Sequence, residues 1–414
     1  MNRLVILGAG TAGTMAANRL RRRLPRDWSV ALVDRDDMHL YQPGLLLLPF
    51  GVYEPHDLLR PRDRFLRDGV ELVLAEVERV DADASHARLR DGRSLGYDLL
   101  VIATGTSPRP DQTPGMTGAA WRRSIFDFFT LDGALALRDA LERWPGGRLV
   151  VHVTEMPIKC PVAPLEFSFL ADAYFAERGK RSSVDLTYVT PLEGAFTKPV
   201  ASQHLGAMLA ERDISVEPDF VVDHVDPDSR LLVSVDDREI PFDLLVTVPL
   251  NMGDELVARS GLGDELNYVP VDRYTLQSRA HADVFAIGDA NDIPASKAGS
   301  VAHFSMDGFV ENVVDHVRGR PMTHRFDGHA NCFVESGHGK GLLIDFNYDT
   351  EPLPGVYPYP RIGPLSLLKE TRANHLGKLA FRHLYWNVLL PGRSMPVPSL
   401  MSMAGKEPAG APGR

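Results

Sequence analysis

The sequence predicts an α/β fold with two Rossmann-like domains and a C-terminal region that contains an amphipathic helix. The N-terminus runs from a buried strand through a glycine-rich turn into an Ala-rich helix, and a second strand–helix unit begins near residue 148. Beyond residue 360, Lys and Arg accompany Leu at helical spacing. We expect three parts: a discontinuous first domain (residues 1–106 and 245–320), a second domain (107–244) and a C-terminal region (321–414).

Length and composition exclude several classes of protein. A chain of 414 residues, 44% hydrophobic and 24% charged, is long enough for two or three globular domains. The net charge of -10 argues against a nucleic-acid partner, because phosphate binding needs a basic surface. No run of about 18 apolar residues predicts a membrane-spanning helix. The N-terminus enters a strand at residues 4–7 without an export signal, and the histidines show no metal-ligand spacing.

The glycine-rich turn predicts a site for the pyrophosphate of a dinucleotide. Its three glycines have G-x-G-x-x-G spacing, which permits the tight turn, the approach of backbone to phosphate, and close packing of helix on strand. A second strand, residues 29–33, ends in Asp34, where a ribose hydroxyl needs an acceptor. The candidate binding residues of the turn are Gly8, Ala9, Gly10, Thr11, Ala12 and Gly13.

Other segments complete the first domain. Residues 69–80, which include Val77, alternate as a strand does, and Asp91-Gly92 predicts a hairpin. Residues 45–50 read as a strand or a buried loop. Two buried strands end in short polar turns, one in Ala103, Thr104 and Gly105, and the other in Gly288 and Asp289.

The second domain departs from the first at the turn after its first strand. Strands are expected at 148–153 and 184–190, helices at 164–178 and 198–212, and a strand at 240–249 that returns to the first domain. The loop at residues 154–161, TEMPIKCP, contains no glycine and carries Glu155 where a pyrophosphate would sit. Close approach of backbone to phosphate is blocked there, so we do not expect a nicotinamide donor. The loop instead holds Cys160.

The chain has two cysteines, Cys160 and Cys332. Cys332 lies in a strand-like stretch followed by a hairpin at residues 335–340 and a strand at 341–346. Composition alone leaves two interpretations open: a redox pair, or two unrelated buried thiols.

The N-terminal glycine motif, the Ala-Thr-Gly turn and the Gly-Asp turn together resemble the FAD-dependent pyridine nucleotide–disulfide oxidoreductase superfamily. This resemblance implies that FAD binds the first domain, that the Ala-Thr-Gly turn and Val77 lie beside it, and that Asp289 accepts a hydrogen bond from the ribityl chain. The helix at residues 299–317 would direct its positive N-terminal end at the flavin. For residues 41–43, a role in lining the flavin and a place in the core remain open.

Three segments, IKCPVAPLE around Cys160, NCFVESGHGKGLLIDFNYD around Cys332 and LYWNVLLPG near the C-terminus, resemble the sulfide:quinone oxidoreductases. The flavoprotein of flavocytochrome c sulfide dehydrogenase has a similar cysteine loop. The resemblance implies that sulfide attacks a Cys160–Cys332 disulfide and that electrons reach a quinone through FAD. Glu166 is either a proton acceptor for sulfide or an acid stabilised at a helix N-terminus. Lys378 would lie close to the flavin and the quinone, and Lys159 is expected to be solvated.

The chain lacks the third cysteine of the best-known branch of that family, because residues 124–130 read SIFDFFT. A thioether link to the flavin through that segment is therefore not expected. Two other functions stay as alternatives: a type II NADH:quinone oxidoreductase and a redox-silent FAD-binding scaffold. A homo-oligomer is compatible with the sequence.

The C-terminal helix has two interpretations. Leu376, Leu379, Ala380 and Leu384 fall at helical spacing in a basic segment, and Phe381, Tyr385, Trp386 and Leu389 widen the apolar surface. Such a helix is typical of peripheral association with a membrane surface, which a lipid-soluble quinone favours. Alternatively, the helix packs on the core of the protein or at a dimer interface.

Overall fold

The computed structural model describes residues 2–360, 363–395 and 397–407. Two five-stranded parallel sheets form the centres of two Rossmann-like units, as predicted. The first sheet has the strand order Val284–Ala286, Leu99–Ile102, Asn2–Leu7, Trp28–Asp34 and Val70–Leu74. The second has the order Ile125–Phe126, Leu244–Val248, Gly147–Val153, Val184–Val189 and Ile214–Glu217.

The helices lie close to the predicted positions. The described residues contain eight α-helices: α1 (Thr11–Arg23), α2 (Pro55–Leu58), α3 (Leu131–Arg143), α4 (Ala163–Glu177), α5 (Pro199–Glu211), α6 (Glu255–Arg259), α7 (Gly299–Val317) and α8 (Arg372–Leu384). Helix α1 packs against α7, and α8 continues into a π-helical turn at Tyr385–Leu389.

Smaller antiparallel sheets join these units. Two have three strands: Val77–Asp81, His86–Leu89 and Ser94–Gly96; and Val222–Asp226, Leu231–Ser234 and Glu239–Pro241. Two have two strands: Met38–Leu40 with Leu59–Pro61, and Thr106–Pro108 with Asn251–Gly253. The hairpin at Asp91-Gly92 is confirmed. The predicted strand at 69–80 is two strands in two sheets, and residues 45–50 form buried turns.

The predicted boundary at residue 245 cuts through the second unit. The strand Leu244–Val248 pairs in parallel with Gly147–Val153, so it belongs to the second sheet. The chain returns to the first unit only after this strand, where Asn251–Gly253 pairs with Thr106–Pro108. Apolar composition predicted a buried strand correctly, but it does not distinguish one buried parallel sheet from another.

The C-terminal region is built on a four-stranded sheet in the order Ala330–Gly337, Lys340–Phe346, Leu365–Leu367 and Gly355–Tyr357. Its first two strands form the hairpin predicted at residues 335–340. Helix α4 packs against Ala330–Gly337, and α8 packs against Lys340–Phe346. The strand that carries Cys332 therefore lies against the helix that follows Cys160.

The aromatic side of the C-terminal helix faces the protein. Tyr385, Trp386 and Leu389 are buried, and the Tyr385 hydroxyl lies 2.6 Å from both Thr11 Oγ1 and His39 Nε2. The prediction that these residues widen a membrane-facing surface is wrong, because they pack on the first unit. Of the four residues predicted at helical spacing (376, 379, 380 and 384), Leu376 is the large side chain that is exposed, at 62%. No helix of the described residues combines the length and the apolar character needed to cross a membrane.

The C-terminal tail packs on the C-terminal sheet as far as the structure describes it, to residue 407. The Lys406 ammonium lies 2.5 Å from the Asp345 carboxylate, and both side chains are buried. Residues 408–414 lie outside the described part of the chain.

Candidate active site

The N-terminal glycines are required by contacts within the first unit. A Cβ atom on Gly13 would lie 1.9 Å from the Gly8 carbonyl oxygen, and one on Gly8 would lie 2.5 Å from the Ala103 carbonyl oxygen. Gly8 also has φ of +96°, a conformation that other residues rarely adopt. The turn, the start of α1 and the Ala-Thr-Gly segment are therefore in direct contact, as the motif predicts.

The face of this turn suits an anionic group. A Cβ on Gly10 would meet nothing within 4 Å, and no side chain caps the N-terminus of α1. The first turn of α1 contains no acidic residue, so its amide groups favour an anion. Asp34 accepts a hydrogen bond of 2.6 Å from the Ala9 amide, and Arg62, which the sequence did not predict, lies 3.3 Å from Asp34.

Further polar groups around the turn fit a bound FAD. The hydroxyls of Thr104 and Thr106 are buried and have no hydrogen-bond partner among the described residues. Burial raises the pKa of Asp289, although the charges of Lys297 and Lys159 oppose that shift. Gly288 has φ of +65°, which fits a sharp turn at this position. Unpartnered buried hydroxyls and a half-buried carboxylate are groups that a polyhydroxylated cofactor can satisfy.

Lys159 is buried rather than solvated, which corrects the expectation from sequence. Its side chain donates hydrogen bonds to the Thr106 carbonyl (3.0 Å) and to the Gln42 side chain (3.2 Å). Burial lowers the pKa of the Lys159 ammonium. The lysine therefore connects the cysteine loop to the first unit. Val77 is buried at the start of its strand, and its contact with FAD stays a prediction.

The cysteine loop holds Cys160 in an uncommon backbone conformation. Its φ is +48°, in the left-handed region that non-glycine residues seldom adopt. The Cys160 amide donates to the Lys297 carbonyl (2.7 Å), and its carbonyl accepts from the Ala163 amide at the start of α4 (2.8 Å). Glu155 in the same loop is exposed. The loop thus positions a thiol beside α4, and its backbone lacks the open glycine turn of the first unit.

Cys160 and Cys332 lie close enough for the charge of one to affect the other. The negative charge of Cys332 contributes to raising the pKa of Cys160, after burial and the Glu166 carboxylate. Burial, followed by Glu166, raises the pKa of Cys332 to about 12. Both cysteines are free thiols in this structure. The fold therefore brings together the chain's two cysteines, while their pairing as a disulfide stays a prediction.

Glu166 and Lys378 form a buried ion pair beside the cysteines. Glu166 lies in the first turn of α4, its side chain is 1% exposed, and it accepts a hydrogen bond of 2.6 Å from the Glu335 amide. Burial raises the pKa of Glu166, and the Lys378 charge opposes this. Burial disfavours the Lys378 charge, but Glu166 and Glu335 outweigh it and raise the pKa of Lys378.

Two predicted roles are affected by this pair. The Glu166 carboxylate is stabilised by Lys378 and by the Glu335 amide, in addition to its position at the N-terminus of α4. Lys378, expected near the flavin and quinone, contacts Glu166 and lies within electrostatic reach of Cys160. Its contact with FAD stays a prediction.

Two residues next to this ion pair were not predicted from the sequence. Glu335 is 3% exposed, and its Oε2 atom lies 2.8 Å from Nδ1 of His375. Glu335 follows Cys332 by three positions on the same strand, and His375 precedes Lys378 by three on α8. Their spacing from Cys332 and Lys378 was the signal in the sequence that could have identified them. In the part of the chain that the structure describes, no group of three or more His, Cys, Asp or Glu side chains could hold a metal ion.

Comparison with known proteins gives consistent similarities. Residues 2–152 match the family described as pyridine nucleotide-disulphide oxidoreductase. The mitochondrial sulfide:quinone oxidoreductase of Mus musculus is 27% identical over 398 residues, which cover 94% of this chain and 86% of the mouse protein. The sulfide-quinone reductase of Aquifex aeolicus is 23% identical, with 93% and 90% covered.

A solved structure shows the same fold. The sulfide:quinone oxidoreductase of Aquifex aeolicus superposes with a TM-score of 0.79 at 20% identity, and the match covers 95% of this chain and 92% of that chain. These similarities confirm the resemblance drawn from the sequence. They also confirm the prediction that the chain is an FAD-dependent oxidoreductase.

Proposed function

We propose that this chain oxidises hydrogen sulfide through a Cys160/Cys332 redox pair and passes the electrons by way of FAD to a quinone. One observation carries the proposal: the chain's two cysteines, far apart in sequence, lie together beside the ion pair of Glu166 and Lys378. The relatives named as sulfide:quinone oxidoreductases match over nearly the whole chain, which supports the same assignment.

The first unit supplies the residues that would hold FAD. The amides after Gly10 would bind the pyrophosphate, Asp34 would accept from a ribose, and Thr104 and Asp289 would bind the remaining polar groups. When bound, FAD supplies a two-electron acceptor that can be reoxidised by a quinone.

The cysteine pair would carry out thiol–disulfide exchange. Hydrosulfide attacks one sulfur of the disulfide, which becomes a persulfide, and the other sulfur leaves as a thiolate. Lys378 stabilises that thiolate, because its charge lowers the pKa of both cysteines.

The alternative of a type II NADH:quinone oxidoreductase is disfavoured by the cysteine loop. That loop has no glycine, so it does not form the open turn in which backbone approaches a pyrophosphate. Its left-handed position is occupied by Cys160, which has a side chain. A redox-silent scaffold would have no use for two thiols beside a buried ion pair.

Cysteine variants test the assignment. Cys160→Ser and Cys332→Ser should each abolish sulfide-dependent reduction of a short-chain quinone, while the bound FAD content stays at the wild-type level. Reduction of the flavin by dithionite should be unchanged and serves as the control for an intact cofactor site. Full sulfide-dependent activity in either variant would contradict the assignment, and bleaching of wild-type flavin by NADH would favour the alternative enzyme.

The outward face of α8 is the proposed contact with a membrane surface. Leu376 is 62% exposed, Arg372 one helical turn before it is an exposed cation, and Lys369 just before the helix is another, a combination suited to an anionic lipid surface. Leu376→Glu should weaken co-sedimentation with anionic vesicles, whereas Val235→Glu should not. Val235 is a matched control, because it is also 62% exposed and lies in the second unit. Equal binding by both variants and the wild type would argue against this surface.

A further inference from the structure

A row of charged side chains leads from the cysteine pair towards the surface. Glu166, beside the cysteines, is paired with Lys378 and accepts a hydrogen bond from the backbone of Glu335. The Glu335 carboxylate lies within electrostatic reach of Lys378 and is bonded to His375 Nδ1 at 2.8 Å. Anionic and cationic or protonatable groups thus alternate along the row.

Exposure is lowest at the two carboxylates of this row and highest at His375. The side chains of Glu166 and Glu335 are 1% and 3% exposed, that of Lys378 is 14% exposed, and that of His375 is 26% exposed. His375 is therefore the member that meets solvent. Glu335 Oε1 is buried without a hydrogen-bond partner among the described residues, so this carboxylate has an oxygen free to accept a proton.

We infer that Glu335 and His375 form the proton exit of the cysteine site, through which the proton released from sulfide reaches solvent. The inference rests on the proposed function. Neither residue touches the reacting sulfurs. Both act through Lys378 and Glu166, so they are positioning residues.

The need for an exit follows from the proton balance of the proposed reaction. H₂S loses one proton to become HS⁻, which attacks the Cys160–Cys332 disulfide. One sulfur–sulfur bond breaks and another forms, sulfide is oxidised by the disulfide, and the leaving cysteine keeps the electron pair as a thiolate. Bound FAD would take up two electrons and one of the two protons of H₂S, so the other proton must leave the site before a second sulfide can react.

Several charged groups surround the exit and set its pH response. On α8 these are Lys378 and Arg382, and Glu335 lies on the facing strand. Tyr53 lies within reach of the charges of Lys378, Arg382, Asp57 and Glu335, and burial raises its pKa. Arg382 is paired with Asp57 at 2.5 Å, so it is held away from the row.

Conservative variants at two depths test the exit. Glu335→Gln removes the buried carboxylate, and His375→Asn removes the protonatable ring near the surface. Glu370→Gln is a matched control, because Glu370 is a partly buried acid of the same region whose partner is Arg212. The measurement is stopped-flow reduction of the oxidised holoenzyme, with a pH indicator that follows proton release, in H₂O and D₂O.

We expect both variants, but not Glu370→Gln, to slow proton release and flavin reduction by about tenfold or more, in line with the size of acid–base effects. The solvent isotope effect should rise, and added imidazole should restore the rate of His375→Ala. Dithionite reduction and FAD content should stay at wild-type values. Wild-type rates and an unchanged isotope effect in either Glu335→Gln or His375→Asn would overturn the exit.

A second reductant separates this inference from the proposed function. Dithiothreitol also opens a Cys160–Cys332 disulfide, and once its electrons pass on to bound FAD, one of its two thiol protons would go to the reduced flavin and the other would be released, whether or not sulfide is the natural substrate. If the wild type reacts with dithiothreitol but not with sulfide, the proposed function fails, and slower proton release in the variants still supports the exit. If sulfide reduces all proteins at one rate, the function stands and the exit fails.

Discussion

The buried ion pair of Glu166 and Lys378 makes a quantitative prediction about stability. Lys378→Met leaves a carboxylate that is 1% exposed without its cation. Removing one partner of a buried pair costs about 3–5 kcal/mol. With an unfolding entropy of about 2.1 cal/mol/K per residue, the chain's 414 residues convert this cost to a fall in Tm of about 3–6 °C.

The cost in Lys378→Met should depend on pH. Without the lysine, burial raises the folded-state pKa of Glu166 further above its ordinary 4.5. The folded variant then binds a proton more tightly than the unfolded chain does, so its free energy of unfolding falls as pH rises above about 4.5, by about 1.4 kcal/mol per unit. The loss levels off once pH passes the folded-state pKa. In the wild type, the raised pKa of Lys378 keeps the pair's contribution intact until pH exceeds 10.5.

Thermal unfolding from pH 5 to pH 8 tests this prediction with two controls. Arg382→Met breaks an ion pair on the same helix whose side chains are each 30% exposed, and should cost about 1 kcal/mol or less. The double variant Glu166→Gln/Lys378→Met removes both charges and should recover most of the lost stability. A Lys378→Met protein with wild-type Tm at pH 8, or a double variant less stable than Lys378→Met, would refute the reasoning.

Two further predictions concern the cofactor and the thiols. Gly13→Ala should lose FAD and unfold at lower temperature, because its Cβ would lie 1.9 Å from the Gly8 carbonyl oxygen. Gly10→Ala has open space at its Cβ, so it should keep the wild-type Tm of the apoprotein and bind FAD more weakly than the wild type does. Equal FAD affinity in the two variants would contradict this prediction. Glu166→Gln should lower the pKa of Cys332 below about 12, because it removes a negative charge near the thiol. Alkylation of the reduced protein by iodoacetamide should therefore begin at lower pH. An unchanged pH profile would show that Glu166 does not act on the thiol.

Local patterns in the sequence predicted the parts of the site that depend on local geometry. The glycine turn is fixed by contacts between Gly8, Gly13 and Ala103, each close to a strand end that periodicity identifies. The meeting of Cys160 and Cys332 was predicted through family resemblance. Spacing alone left that question open, because residues distant in sequence meet only through tertiary packing.

Tertiary packing also explains what the sequence missed. Helical periodicity showed that α8 has an apolar side, but whether Tyr385 and Trp386 face lipid or protein depends on what the first unit presents to them. The strand Leu244–Val248 is buried on both faces, so its sequence does not specify its sheet. Lys159 and Glu335 are charged residues in the interior, and only their partners, which come from other elements, make their burial favourable.

An anaerobic titration with sulfide tests the central claim most directly. The account predicts that sulfide bleaches the flavin absorbance of the wild-type protein, that a short-chain quinone restores it, and that sulfide leaves the flavin of Cys160→Ser and Cys332→Ser oxidised. Two results would contradict the claim that these two cysteines connect sulfide to the cofactor. In one, sulfide leaves the wild-type flavin oxidised; in the other, sulfide bleaches the flavin of the serine variants as much as that of the wild type.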